Sequence, residues 1–413
     1  MRTGPRGGIT AGGPWDGVRM SLVPAVAELR RAVRVALAAL PEPTRSAPVL
    51  VACSGGADSL ALAAAVAALH PGAHAAVVDH GLQDGSAAVA AAAAARLTGL
   101  GLHAAVHRVD ATGPGGPEAS ARRARYAALA AARPHPDSAV LLGHTLDDQA
   151  ETVLLGLGRG SGPRSIAGMR AWDPPWCRPL LTVRRATTSA ACAALGLPVW
   201  ADPHNVDPRF TRARLRHEVL PLLEDVLAGG VSAALARTAA QLREDVDALD
   251  ALAGDLLAAA CAGRDDCGPV GSPDRRGDTA PSDRASPSAT SPPVPPSGRT
   301  GPGARSVEHR AASAPGISVL AAAPPALRRR AVRAWLAAAG VTGLTDEHLR
   351  AADRLVAGPP GVASVALPGG LELARGHERL VLRPAGWPPR SAGGGTSGHP
   401  GPRTEEDHRR VRR

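Results

Sequence analysis

The chain has 413 residues, enough for two or three domains, and 44% of them are apolar, so it can bury a sizeable core. All 47 basic residues are arginine and the formal net charge is +10, which suggests a polyanionic partner such as nucleic acid, although arginine-rich tails also follow from a general bias toward Ala, Gly and Arg. The absence of lysine excludes a Walker A loop and a lysine Schiff base, so any phosphate site must use backbone N–H groups, hydroxyls, a metal ion and arginine.

With one Tyr and one Phe, the core must be built from Ala, Val and Leu. The cysteines Cys53, Cys177, Cys192, Cys261 and Cys267 are scattered with no CxxC pair, which argues against a zinc ribbon, an iron–sulfur cluster or a disulfide scaffold. The N-terminus lacks the apolar stretch of a signal peptide and no window reads as a membrane span, so a cytoplasmic protein is expected.

Along the chain, residues 1–20 are rich in Gly and Pro and are expected to be disordered, with Met20 as the functional start. A helix is expected over 23–40. Strand and helix then alternate. "PVLVACS" (48–54) is a strand and the Ala-rich run after it a helix. "HAAVVDHG" (74–81) is a strand, 87–101 a helix, "LHAAVHRV" (102–109) a strand, and 117–133 a helix with Pro117 in its first turn. "SAVLLGH" (138–144) is a strand, "LDDQAETVLLGLG" (146–158) a helix, and "LPVWADP" (197–203) a fifth strand. Strands separated by helices imply right-handed crossovers and an α/β fold with a doubly wound parallel sheet.

After about residue 225 the pattern becomes helical. Residues 231–262 carry Leu235, Leu242, Leu249, Leu252 and Leu256 on an apolar face. Residues 263–313 read as a disordered insertion, helices resume at 324–340 and 345–358, and a small strand unit follows over 362–383 with "PGG" as its hairpin turn. The expected organisation is a disordered extension (1–20), an α/β domain (21–225), a mostly helical domain (226–386) with its insertion, and a disordered tail (387–413).

The chemistry concentrates at the expected strand ends. "SGGADS", Ser54 to Ser59, lies between a strand and a helix, where unpaired N–H groups favour an anion. Gly55 and Gly56 let the backbone approach a phosphate, and Ser54 and Ser59 add hydroxyls. Asp58 would repel a phosphate unless a divalent cation bridges them, which points to Mg²⁺. Asp79 and His80 end the second strand. His144 ends the fourth, and Asp147, Asp148 and Glu151 occupy the first turns of the following helix, more acid than capping requires. Arg122 and Arg125 share a helix face, with Glu118 one turn before Arg122, and Arg212 and Arg216 share another.

The string Ser54-Gly55-Gly56-Ala57-Asp58-Ser59 resembles the SGGxDS pyrophosphate loop of the N-type ATP pyrophosphatases, which cleave ATP between the α- and β-phosphates and adenylate a substrate. That resemblance implies an adenine nucleotide alpha hydrolase-like sheet. "VVDHGLQDGS" (77–86), "EASARRARY" (118–126), "GHTLDDQAET" (143–152), "RGSGPRSIAGM" (159–169) and "DPHNVDPRFTRARLRHEVLPLL" (202–223) are similar, in order, to the segments of the tRNA(Ile)-lysidine synthetases within that class. Gln83 stands where that family has Arg, and Ala213 where it has Asn.

The resemblance implies ATP and Mg²⁺ as co-substrate and metal, with Ser54, Gly55, Gly56, Ala57, Asp58, Ser59, Asp79 and His80 binding the nucleotide and Asp58 and Asp148 the metal. It implies Arg122, His144, Asp148 and Arg212 as catalytic residues, with Arg125 supporting. It further implies a CAU-anticodon tRNA(Ile) and free L-lysine as substrates, lysidine as product with release of AMP and diphosphate, and a codon reading moved from AUG to AUA. A homodimer is left open. Another enzyme of the same loop class, such as a tRNA thiolase, is the alternative, but it would be expected to carry CxxC ligands or cysteines facing the loop. A non-enzymatic RNA-binding protein would leave the His/Asp/Asp/Glu cluster without a reason.

Overall fold

The computed structural model describes residues 23–81, 85–110, 112, 116–160, 162–262, 314–358 and 364–386. The expected extension 1–20, the expected insertion 263–313 and the expected tail 387–413 lie outside these residues, as do Gln83 and the side chain of Glu118. The chain divides into two compact units, Met1–Asp247 and Ala248–Arg413.

The first unit alternates as the sequence pattern requires: α1 (Pro24–Ala38), β1 (Leu50–Ala52), α2 (Ala57–Leu69), β2 (His74–Asp79), α3 (Ser86–Gly99), β3 (His103–Arg108), α4 (Pro117–Ala131), β4 (Val140–Leu141), α5 (Leu146–Gly158), α6 (Pro163–Ile166), β5 (Trp172–Asp173), β6 (Trp176–Cys177) and α7 (Arg185–Ala194). The sheet order is β3-β2-β1-β4-β6-β5, with every pair parallel except β5–β6. The order runs outward both ways from β1, so the crevice at the carboxyl ends of β1 and β4 is a topological switch point.

Period-two alternation sorts the core. Val51, Ala75 and Val77 join a large cluster with Leu29, Val33, Leu60, Leu97 and Cys192, whereas Leu50, Ala76 and Val140 face the other way and pack with Leu129 and Leu142. Helix α2 is apolar nearly all round, with Leu60, Ala61, Leu62, Ala63 and Val66 wholly buried, as a helix enclosed by sheet and neighbouring helices should be. Alanine lets these elements approach closely.

The expected fifth strand at 197–203 is not one. The parallel strand beside β4 is β6, and it is too short, between Pro175 and Pro179, to carry a period. Residues 197–203 instead run over the loop after β1, where the Trp200 N–H donates to the Gly55 carbonyl at 3.1 Å, and Pro198 has no N–H to give a ladder.

A helical segment α8 (Thr211–Val226), with a π-helical turn at Leu215–Val219, leads to α9 (Val231–Ala262). Glu224 closes this corner: its carboxylate accepts from the Val231 and Ser232 N–H groups at 2.9 and 3.0 Å and from the Ser232 hydroxyl at 2.9 Å. The Ser232 and Val231 N–H groups hold its carboxyl below the ordinary value of 4.5. Glu224→Gln should therefore cost about 1 kcal/mol, the usual worth of a helix cap, and lower the melting temperature by a few degrees. Because the folded pKa is depressed, this stabilisation is present above the unfolded value and lost as pH falls through the folded one. Melting curves of the two proteins should accordingly converge in acid and separate at neutral pH.

In the second unit, α10 (Ile317–Ala322), α11 (Pro325–Ala338) and α12 (Asp346–Ala357) pack with a three-stranded antiparallel sheet, β7 (Ser364–Leu367), β8 (Leu371–Arg375) and β9 (Leu380–Pro384). Leu320, Val332, Trp335, Leu336, Leu355, Leu373 and Leu380 form its core. Gly369 and Gly370 both have positive φ, 79° and 69°, at the turn that joins β7 to β8, the conformation for which "PGG" is suited. Arg328, almost wholly buried, ties this unit by bonding Asp353 at 2.6 Å and the Ala321 and Ala323 carbonyls at 3.1 and 3.0 Å. Among the described residues no single helix is long and apolar enough to cross a membrane.

Candidate active site

A cavity of about 580 Å³ opens at the carboxyl edge of β1, β2 and β4. Ser54, Gly56, Ala57, Asp58 and Ser59 line it from the loop after β1, Asp79 and His80 from the end of β2, and His144 and Asp148 from the end of β4 and the start of α5. Arg125, Arg185 and Arg216 complete the wall.

The loop is built around one hydroxyl. Ser59 Oγ accepts from the Ser54 N–H at 3.1 Å, lies 3.2 Å from Ser54 Oγ and donates to the Gly56 carbonyl at 3.0 Å, which folds the turn back onto the first turn of α2. Gly55 has φ of 84°, a left-handed conformation that a side chain resists. Gly143 permits a close approach: a Cβ there would lie 3.1 Å from the Asp58 carbonyl and from Ser59 Cα, so a side chain would press the loop backbone back by a few tenths of an ångström. Cys53 sits beneath the loop, accepting from the Gly55 N–H at 3.4 Å and lying 3.5 Å from Ser59 Oγ. Burial pushes its thiol up, so the thiol stays protonated although Cys53 also lines the cavity described above.

The acids behind the cavity are saturated with arginine. Asp148 Oδ2 accepts from the Thr145 N–H at 2.8 Å and the Thr145 hydroxyl at 2.9 Å, the capping box of α5. Its Oδ1 accepts from Arg185 at 2.6 Å and Arg216 at 3.3 Å. Glu151, with no exposed side-chain surface, pairs with Arg216 at 2.9 Å, Arg185 at 3.4 Å and Arg212 at 3.5 Å. Asp58 accepts from the Thr188 hydroxyl and pairs with Arg185 at 3.4 Å. Asp147 pairs with Arg184 at 3.1 Å and accepts from the Arg185 N–H at 2.7 Å. Three carboxylates and three guanidiniums thus form one linked network, and the Asp147–Arg184 pair joins it through the Arg185 N–H, so that the acids and guanidiniums balance, four against four. Burial works against ionised Asp148, but Arg185 and the Thr145 N–H hold it below the ordinary carboxylate range. Burial and the nearby Asp148 push Asp58 the other way, against Thr188 and Arg185.

His144 and His80 each present a buried Nδ1 with no hydrogen-bond partner among the described residues. Burial, with Arg178, Arg125 and Arg122 nearby, pushes His144 down to about 4 against the pull of Asp148, so its imidazole is neutral at physiological pH. Burial and Arg125 also lower His80. Asp79 accepts from the Gly81 N–H at 3.0 Å, and this bond holds its carboxyl low.

The expected arginines divide. Arg122 is exposed and bonds the Tyr126 hydroxyl at 3.2 Å, and Arg212 lies outside the cavity beside Glu151. Arg125 faces the cavity, its guanidinium 5.6 Å from the Tyr126 ring centre, and no carboxylate pairs with it among the described residues. Arg185 is a residue that no motif marked. Farther along, the 159–169 loop is fastened by Gln149, which accepts from the Met169 N–H at 2.7 Å and donates to its carbonyl at 3.0 Å.

Two carboxylates and a phosphate ligand suit Mg²⁺, which binds few protein oxygens and keeps its waters. Asp58 Oδ2 and Asp148 Oδ1 both reach the same Arg185 guanidinium, so they converge on one point and fit that ion. Among the described residues no group of three or more His, Cys, Asp or Glu forms a closed metal cage.

Comparison with known proteins agrees with this layout. The PP-loop domain family matches residues 29–223, and the TilS substrate binding domain family matches residues 317–381. The tRNA(Ile)-lysidine synthase of Mycolicibacterium paratuberculosis is 54% identical over 317 residues, 77% of this chain and 83% of that one. That of Nocardia farcinica is 52% identical over 361 residues, 86% of this chain and 97% of that one. That of Rhodococcus erythropolis is 49% identical over 365 residues, 87% of this chain and 96% of that one. Among solved structures, a U34-tRNA thiolase from Methanococcus maripaludis with its [4Fe-4S] cluster matches with a TM-score of 0.43 and 19% identity, covering 53% of this chain and 80% of that one.

Proposed function

The chain belongs to the tRNA(Ile)-lysidine synthase family, and from that premise and the geometry of the sheet edge we propose that it joins free lysine to C2 of the wobble cytidine of a CAU-anticodon tRNA. ATP is split between its α- and β-phosphates, the α-phosphate adenylates C2, and the lysine ε-amine displaces AMP. The observation that carries this reading is the convergence on one cavity of an anion loop, an arginine without a carboxylate, and a neutral histidine beside an ionised aspartate.

Each part has a physical task. The N–H groups and hydroxyls of Ser54–Ser59 receive the pyrophosphate at the start of α2, where the helix dipole favours negative charge. Arg125 meets the remaining phosphate charge. Asp79 and His80, at the next strand end, hold the adenosine. Asp58 and Asp148 would hold Mg²⁺, which when bound would supply positive charge to the departing pyrophosphate. His144, neutral and with an unpartnered Nδ1 among the described residues, orients the attacking amine, its unprotonated ring nitrogen accepting the amine's hydrogen bond, and Asp148 beside it favours a proton arriving on the ring. Arg122 and Arg212, on the outside of the site, meet the tRNA backbone rather than the nucleotide. The second unit grips the tRNA. A cytoplasmic location and a homodimer belong to the same proposal, and sedimentation of the full chain tests the latter.

Labelled lysine should enter CAU-anticodon tRNA(Ile) only with ATP and Mg²⁺, with one AMP formed per lysine attached. Pyrophosphate exchange into ATP should require the tRNA. If ATP is consumed and sulfur, or nothing, appears on the tRNA instead of lysine, the reading fails.

A further inference from the structure

We propose that Arg185 is the resident cation of the metal site: it neutralises Asp58 and Asp148 in the nucleotide-free protein and exchanges them for the phosphates when Mg²⁺ and ATP arrive together. The proposal rests on the reading in which those two carboxylates hold the metal.

The geometry singles out this residue. Arg185 reaches Asp58 through Nε at 3.4 Å and Asp148 through Nη2 at 2.6 Å, bridging the loop of β1 to the helix after β4. Arg216 also meets Asp148, at 3.3 Å, and Glu151 at 2.9 Å, so Asp148 keeps a partner when Arg185 withdraws. The backbone of Arg185 is fixed independently of its side chain. Its N–H donates to Asp147 at 2.7 Å, and its carbonyl accepts from Thr188 at 2.7 Å. The guanidinium can therefore change partners by rotation of side-chain torsions while the start of α7 stays in place.

Electrostatics dictates the order of events. The network holds equal numbers of carboxylates and guanidiniums, and a guanidinium cannot neutralise itself by losing a proton. A bare metal ion entering would leave Arg185 only Glu151, which Arg216 and Arg212 already pair, in a confined site, and bare ATP would leave Asp58 facing phosphate. Arrival of the cation with the nucleotide gives the acids a new cation and the guanidinium new anions in one step. Metal binding is thereby made conditional on the nucleotide, and Arg185 becomes a phosphate ligand of the loaded site.

Mn²⁺ is the probe, followed by its paramagnetic resonance spectrum with the full-length chain. Without nucleotide the wild-type protein should bind Mn²⁺ weakly, and Arg185→Gln, which leaves an excess of buried carboxylate, should bind it at least about tenfold tighter. Asp58→Asn added to Arg185→Gln should remove that gain. With ATP present the same Arg185→Gln variant should bind nucleotide about tenfold more weakly than wild type. Equal Mn²⁺ affinity in nucleotide-free wild type and Arg185→Gln overturns the proposal. Should the variant not fold, the wild type decides alone: Mn²⁺ bound as tightly without ATP as with it overturns the proposal too. If Asp58→Asn and Asp148→Asn each leave Mn²⁺ affinity in the ATP complex unchanged, the metal assignment itself falls. If they abolish it while Arg185→Gln gains nothing, only the role of Arg185 falls.

Discussion

Asp148→Asn should lower lysine attachment by about three orders of magnitude while leaving the melting temperature within a few degrees of wild type. The substitution separates charge from shape. The asparagine oxygen can still accept from the Thr145 N–H, so the capping box of α5 survives. The other position of the side chain becomes an NH₂ facing Arg185 and Arg216, where Oδ1 now accepts from both at 2.6 and 3.3 Å. The linked network is left with one guanidinium in excess, His144 loses the carboxylate that favours a proton on its ring, and the proposed metal site loses one of its two carboxylates. Asp147→Asn is the control. Asp147 faces Arg184 and the N–H of Arg185 rather than the cavity, so its loss should cost no more than about tenfold. Single-turnover lysine attachment measures both, and an Asp148→Asn protein that keeps a tenth of the wild-type rate would remove Asp148 from the chemistry.

The alternation of strand and helix was readable in the chain because β1, β2 and β3 and the helices between them each carry a full period of their pattern. The strand β6 was not, because two residues between prolines have no period to read. The loop Ser54–Ser59, Asp79, His80, His144 and Asp148 lie at strand ends, so placing the strands correctly also placed them together. The partners of these acids are harder to read. Arg184 and Arg185 sit at the N-cap and first position of α7, where the helix dipole disfavours a cation. Two arginines at that end are the one local signal that acids from elsewhere in the fold must meet them. Which acids do so depends on the β4–β6 pairing that the sequence does not display.

Arg125→Gln should weaken Mg²⁺–ATP binding by about a hundredfold, and Arg122→Gln by less than about threefold. The two arginines are one helical step of three apart, about 60° around the axis, which is close enough to share a motif and far enough to face different surroundings. Arg125 is turned into the cavity, where Tyr126 supports its guanidinium and Trp176 supports Tyr126 in turn, ring centres 4.6 Å apart and edge-on. No carboxylate compensates it there among the described residues, and burial pushes its pKa down. A largely desolvated cation with no carboxylate beside it carries a standing cost that an anion would relieve, and this is the ground for expecting Arg125 to bind phosphate strongly. Arg122 is solvated and already bonded to the Tyr126 hydroxyl, so it has little to gain from ATP. Its contribution should appear in the tRNA concentration dependence, with a shallower salt response when it is removed. Equilibrium dialysis of Mg²⁺–ATP without tRNA isolates the nucleotide term. Equal losses from the two substitutions there, or a larger one from Arg122→Gln, would return the active-site role to Arg122 and mean that Arg125 serves only to seat Tyr126.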